Sequence, residues 1–275
     1  MRIIKADGTQ EDFDPHKLVR SLERSGAEEE VAQNVLRDIE RELYDGITTQ
    51  EIYRRAFARL REHRRPVAAR YSLKRAVLEF GPSGFPFEAY LAELFRAEGY
   101  EAKIDQIVKG KCVEHEVDVV MQKDGVSTYV EAKFHNAAGF KTDLKTVLYV
   151  KARVEDIAAA MRGKSGTVAG LVVTNTKFTS HAVQYSSCAG LELLGWEQPR
   201  GRNLHDRIEQ KGIYPVTALT TLSRREKAAL LGNRVVLCNS LPNETKALAA
   251  AGLSGKKAGE VLEEAGTLCA PGNLK

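Results

Sequence analysis

The sequence predicts an α/β (α+β) multidomain protein, and three observations carry that expectation. A breaker cluster, Gly81-Pro82-Ser83-Gly84, separates a hairpin followed by four helices from a mixed pattern. Beyond it, helix-period and strand-period stretches follow in the order α-β-β-β-α-β-α-β, which builds a mixed sheet flanked by helices. After Pro215 the pattern turns helical again. The 275 residues therefore read as three parts, 1–80, 84–214 and 215–275.

In the first part, residues 3–13 are two short arms around Asp7-Gly8, a pair that favours a tight hairpin turn. Asp14-Pro15 supplies an N-cap and a first-turn proline for one helix. Three more helices are expected at 28–44, 50–63 and 66–80, the second opened by Thr48 with Glu51 three residues on as a capping box. The stretch from Arg54 to Arg75 holds nine Lys or Arg against the single acid Glu62, and reads as a solvated helix face. The second part should open with a helix at 85–98 and strands at 101–108, 113–122 and 126–134. A helix at 144–162, a strand at 167–174, a helix at 179–189, a strand at 191–196 and a helix at 204–210 complete it. In the third part, Ser223 and Glu226 form another capping box, and a last helix runs from about Lys256 to Cys269.

Composition excludes several classes. With 43% apolar and 28% charged residues the chain is neither disordered nor of low complexity. Its longest apolar run, Ala247 to Leu253, is seven residues, against the roughly 20 a membrane-spanning helix needs. Charged Lys5 and Asp7 stand where a leader would have its apolar region, so the expected location is the cytoplasm, with no membrane partner. Cys112, Cys188, Cys238 and Cys269 are scattered without a C-x-x-C pair, which supports neither a zinc ribbon nor a disulfide framework. A net charge of +4 does not by itself announce nucleic acid. No Gly-rich P-loop is present, so an ATP-hydrolysing motor is not supported.

The chemistry concentrates in the run from Glu116 to Phe134. Asp124-Gly125 between two β-rich stretches is a strong hairpin signal, and a two-residue loop there pairs Lys123 with Val126. That register sets Asp118 opposite Glu131 and Glu116 opposite Lys133, all four on one face. Val117, Val119, Met121, Val130, Ala132 and Phe134 fall on the other face, which is apolar and belongs on a core. Two carboxylates directly opposed on a sheet are destabilising unless something offsets them. Mg²⁺ would do so, since it takes one or two carboxylates plus waters and phosphate oxygens. Lys133 could then orient water or stabilise charge on a phosphate. The competing reading is a solvated sheet face with Glu116 and Lys133 as an ordinary ion pair.

Asp118 followed by Glu131-Ala132-Lys133 resembles the D…(D/E)-x-K signature of restriction-endonuclease-like nucleases. Gly84-Phe85-Pro86-Phe87-Glu88, Gly99-Tyr100 and the Glu-Val-Asp strand are similar to the Mrr-type branch, so the likeness spans roughly 84–212. It implies that Asp118 and Glu131 hold the metal, that Lys133 serves the water, and that Glu88 adds a helix-borne carboxylate. Read without the likeness, Glu88 is equally a helix-start charge favoured by the dipole. His135 shares the parity of Glu131 and Lys133 and reads as a bordering or an edge histidine. Lys145 and Lys151 are candidate phosphate contacts. Gln184 and Tyr185 stand where this family often faces its pocket, with packing as the other reading.

The first 80 residues resemble the ATP-cone, the nucleotide-sensing module of ribonucleotide reductases and their repressor. The likeness rests on Ile4-Lys5-Ala6-Asp7-Gly8, Glu11, Phe13-Asp14 with Lys17, Tyr44-Asp45-Gly46-Ile47 with Thr49 and Ile52, and Ala68-Ala69-Arg70-Tyr71. It implies ATP or dATP as effector, with Lys5 and Lys17 on phosphates and Glu11 or Asp14 free for base or ribose. Ala6 stands where the family has Arg, and Tyr53 where it has His; the missing guanidinium removes a bidentate phosphate contact. A cone kept as a docking module without ligand is the competing reading. Near the C-terminus, Ala251-Gly252-Leu253-Ser254-Gly255-Lys256-Lys257-Ala258 looks like a helix-hairpin-helix, a motif that offers backbone N–H groups to DNA phosphate.

Together these readings point to a Mg²⁺-dependent DNA endonuclease with nucleotide regulation, in DNA restriction or defence. The rival is a catalytically inactive, nucleotide-gated DNA-binding regulator. An RNA-directed nuclease and a homo-oligomer both remain open from the residues alone.

Overall fold

The protein is described by a computed structural model covering residues 1–162 and 166–270. It divides into two compact units, Met1–Val77 together with the segment from Tyr214 onward, and Leu78–Ile213.

The first unit opens with β1 (Arg2–Ile4) antiparallel to β2 (Gln10–Asp12), turning through Gly8 at φ +82°. The Asp7 carboxylate locks that turn by accepting both the backbone N–H and the hydroxyl of Thr9. Asp14 caps α1 (Pro15–Arg24), accepting the N–H groups of His16 and Lys17. After α2 (Glu29–Glu42) a short β3 (Ile47–Thr48) pairs in parallel with β1, an element too brief to show periodicity in sequence. Thr48 caps α3 (Thr49–His63), but Glu51 does not close the box; its carboxylate binds the Tyr44 hydroxyl and Arg55 instead. The helix expected over 66–80 is two helices, α4 (Arg65–Tyr71) and α5 (Leu73–Leu78), broken where the Ser72 hydroxyl donates back to the Ala69 carbonyl. Leu22, Val35, Ile39, Ile52 and Leu60 form the core of this unit. Within the basic stretch, Arg55 and Arg59 pair with Glu42, Glu51 and Asp38, and Arg64 pairs with Glu28.

The second unit follows the expected order closely. Helix α6 (Phe85–Ala97) precedes strands β4 (Glu101–Lys109), β5 (Glu114–Lys123) and β6 (Val126–Lys133). Two-residue β7 (Lys141–Thr142) leads into α7 (Leu144–Ala160), capped by Asp143. Then come β8 (Thr167–Thr174), short β9 (Lys177–Phe178), α8 (Ser180–Ala189), β10 (Glu192–Leu194) and α9 (Leu204–Lys211). The five-stranded sheet has the order β10-β8-β6-β5-β4; β6, β8 and β10 run parallel, and β4 and β5 are antiparallel additions. Helix α6 packs across β4, β5 and β6, with Phe87 against Phe134. Helix α7 covers the opposite face through Val147, Val150, Val154 and Ile157, packed with Tyr129 and Val172.

The chain then returns to the first unit through α10 (Arg224–Gly232), α11 (Thr245–Ala250) and α12 (Gly255–Cys269). The Ser223–Glu226 capping box is complete. Helix α12 packs on α4, and the Thr217 hydroxyl donates to the Ala76 carbonyl. Buried Glu264 accepts Thr220 and Thr221 backbone N–H groups and the Thr220 hydroxyl. The C-terminal segment thus folds onto the N-terminal one rather than standing apart. No helix among the described residues is long and apolar enough to cross a membrane.

Candidate active site

The hairpin forms as its turn residues dictate. Asp124 and Gly125 both take positive φ, +49° and +77°, and Lys123 pairs with Val126. Pairing continues to Val119 opposite Val130 and then stops. The ladder pair expected between Asp118 and Glu131 is not made: Asp118 Oδ2 takes the Ala132 N–H itself, at 2.6 Å. On the other side, β4 pairs Ile104 with Val119 and Gln106 with Val117, passing over Asp105, which sits at φ +51°. Asp118 is therefore released from both neighbouring ladders, and its side chain stitches the gap toward β6. Strict alternation also fails here. Val117, expected on the same face as Val119 and Val130, packs in the α7 cluster with Tyr129 and Val172. Glu116 and Lys133 are exposed, and the ion pair of the competing reading does not form between them among the described residues.

Burial and crowding govern the charges. Glu88, half-buried in the first turn of α6, has its carboxyl pushed up to about 7, first by desolvation and then by the negative charges of Asp118, Asp105, Glu131 and Glu116. Asp118 is pushed up to about 6 by burial and by Glu131, with the Ala132 N–H and Arg153 acting in the opposite direction. Glu131 is held by Arg153, whose Nη1 donates to Oε2 at 2.8 Å. Arg153 is buried on α7, its guanidinium lies 4.7 Å over the Tyr149 ring, and its Nε has no partner. The Lys133 ammonium is exposed and makes no hydrogen bond or ion pair among the described residues.

Among the described residues, no group of three or more His, Cys, Asp or Glu is gathered in a ready-made metal cage. The donor set nevertheless suits a hard cation. Asp118 uses one oxygen on Ala132 and Glu131 uses one on Arg153, which leaves a second oxygen on each. Mg²⁺ is commonly held by just one or two carboxylates plus water and phosphate oxygens. Burial and then mutual repulsion lift Asp118 and Glu88, and the repulsion is what a bound cation would relieve.

Arg153 and Asp105 were missed by sequence reasoning. Arg153 lies three residues after Val150 and four before Ile157, on the core-facing stripe of α7, and a charge on that stripe was the available signal. For Asp105 the signal was weaker, an Asp in mid-strand, a residue that tolerates left-handed backbone. His135 is a satisfied histidine: its ring meets the Thr142 hydroxyl at 3.1 Å and stacks on Phe140, and burial holds its pKa down. Lys151 pairs with Glu155, whereas Lys145 is exposed. Tyr185 packs against the α7 cluster and Gln184 is exposed.

In the cone, Lys5 and Lys17 converge, but on Glu11, at 2.6 and 3.5 Å. Glu11 or Asp14 was expected free for base or ribose; both are engaged, Glu11 by the lysines and Asp14 as the α1 cap. Tyr53 stacks on Tyr71 at 5.2 Å, with Arg75 over its ring. At the hairpin before α12, Gly252 and Gly255 have positive φ, and Lys257 donates to the Thr221 carbonyl.

Three family models match the sequence: an ATP cone domain over residues 1–77, a restriction endonuclease over 82–198, and "AF1548-like, C-terminal" over 214–269. An uncharacterized protein of Archaeoglobus fulgidus is 37% identical over 176 residues, which span 64% of this chain and 97% of that one. A crystal structure titled as the protein of unknown function AF1548 superposes with a TM-score of 0.56 at 34% identity, covering 68% of this chain and 98% of its own.

Proposed function

Since the chain belongs to the AF1548-like family and carries an ATP cone ahead of a restriction-endonuclease domain, we propose that it is a Mg²⁺-dependent endonuclease that hydrolyses phosphodiester bonds of DNA. ATP or dATP at the cone acts as effector and is not consumed. The observation that carries the reading is the crowding of Asp118, Glu131 and Glu88 at the point where the hairpin ladder opens, with Lys133 exposed beside them.

Asp118 and Glu131 would hold the metal, which when bound polarises a phosphoryl oxygen and lowers the pKa of water. The chain's own groups do the rest. The Ala132 N–H fixes one Asp118 oxygen, and Arg153 fixes one of Glu131, so that the other oxygen of each carboxylate is aimed by its partner. Lys133 places a positive charge at the site to stabilise the negative charge that builds on the phosphate as water attacks. Glu88, with its raised pKa, is suited to hold a proton near neutral pH and to pass it to the leaving oxygen.

Supercoiled plasmid incubated with Mg²⁺, with and without ATP, tests the proposal. Nicking is expected in the intact protein and is lost in Asp118→Ala and Lys133→Ala; cleavage that survives unchanged in both variants rejects the assignment. A second reading, a DNA-binding regulator without cleavage, is favoured by one observation, that Arg153 already neutralises Glu131. Under that reading, calorimetric Mg²⁺ titration shows no site sensitive to Glu131→Gln.

A further inference from the structure

Of the seven large apolar side chains that stand exposed among the described residues, three fall between positions 140 and 149: Phe140, Leu148 and Tyr149. Two of them are rings with one face pinned and the other open. Phe140 lies parallel to His135, centroids 5.8 Å apart and planes within 6°, yet remains 58% exposed. Tyr149 has the Arg153 guanidinium on one face and is 59% exposed. Each ring is tied to the end of β6: Tyr149 through Arg153 to Glu131, and Phe140 through His135, two residues beyond Lys133.

The support beneath them is rigid. His135 exchanges two hydrogen bonds with buried Asn175, its N–H donating to Oδ1 at 2.8 Å and its carbonyl accepting from Nδ2 at 2.7 Å. Tyr149 stands on the outer face of a 17-residue helix. Around the rings, Lys133, Lys141 and Lys145 are exposed and make no ion pair among the described residues. A soluble protein gains nothing from open aromatic faces among unpaired ammonium groups unless a partner supplies both flat apolar surfaces and negative charge. Nucleic acid with unstacked bases does: its phosphates meet lysines, and any base can stack on an aromatic face.

We propose that Phe140 and Tyr149 are stacking platforms for unpaired bases of DNA next to the scissile phosphate, so that the preferred substrate is single-stranded or locally opened at the cut. This rests on the nuclease reading, since it is the position beside Glu131 and Lys133 that makes the platforms relevant to cleavage.

Binding is measured on the full-length protein without divalent metal, using a single-stranded oligodeoxynucleotide carrying 2-aminopurine, its duplex, and an RNA of the same sequence. The single strand is expected to bind tighter than the duplex, with quenching of the 2-aminopurine. Tyr149→Ala and Phe140→Ala should each weaken single-strand affinity about tenfold and relieve the quench, with less than about a twofold effect on duplex. Tyr149→Trp should retain both. Unchanged single-strand affinity in both alanine variants, or equal weakening for single strand and duplex, overturns the proposal. So does a ring dependence greater for RNA than for DNA, or an assembly state on sedimentation that changes in the alanine variants while DNA binding does not. The plasmid assay judges the nuclease reading separately: a protein that cuts plasmid yet shows no ring-dependent binding fails here alone.

Discussion

Arg153 Nη1 donates to Glu131 Oε2 at 2.8 Å, so the carboxylate that would share a cation already carries an internal one. Removing one partner of such a pair leaves a charge poorly solvated. With Glu131 still 17% exposed, Arg153→Met is expected to lower unfolding free energy by about 1–3 kcal/mol, less than for a fully buried pair. Mg²⁺ should restore more stability to this variant than to the parent, because the cation then compensates a charge that Arg153 no longer does. Urea unfolding with and without Mg²⁺ checks both points.

The acidic site also fixes a pH dependence. Glu88 and Asp118 are pushed up to about 7 and about 6, above their unfolded values, so the folded state binds protons that the unfolded state has released. Their contribution to stability is fully present below the ordinary carboxylate range and is lost as pH rises through about 6 to 7. The metal-free protein should lose stability across that window, and Glu88→Gln should flatten the decline. Mg²⁺ affinity should rise over the same window, because cation and proton compete for the same oxygens. Denaturant midpoints and calorimetric titration at stepped pH report the two effects.

The turn at Asp124-Gly125 sets where every site residue lands. Gly125 sits at φ +77°, a conformation that costs a residue bearing Cβ roughly 1–2 kcal/mol. Gly125→Ala should destabilise by about that amount and reduce plasmid cleavage in parallel, although Gly125 touches no substrate. A cleavage rate unchanged in a folded but destabilised variant would separate register from chemistry.

In the cone, Lys5 and Lys17 both lean on Glu11. A polyphosphate must replace that carboxylate, so Lys5→Ala and Lys17→Ala should each weaken ATP binding roughly three- to tenfold. Isothermal titration with ATP and dATP measures this, and ATP affinity indifferent to both changes would place the nucleotide elsewhere.

Much of this was legible from local signals. Asp124-Gly125 fixed the hairpin register out to Val119 and Val130, and the caps at Asp14, Thr48 and Ser223 opened helices where expected. The failures are of a different physical kind. Ser72 broke a helix by a side-chain hydrogen bond that competes with continued winding, and β7 and β9 are too short for alternation to appear. The ladder opens at Asp118 through a contact between strands and a left-handed Asp105, neither of which composition encodes. Ion-pair choices such as Glu11 with Lys5, or Arg153 with Glu131, depend on tertiary proximity rather than on spacing.

The hydrogen bond from Thr217 to the Ala76 carbonyl, 2.7 Å long, marks the doorway through which the polypeptide both departs from and re-enters its first unit. Residues 78–213 are consequently a cassette spliced into a host fold, with entrance and exit side by side. Excising the cassette and sealing the gap with a few glycines should leave a soluble, cooperatively melting host. A protease nick near Gly84 should yield two fragments that still travel together on a sizing column.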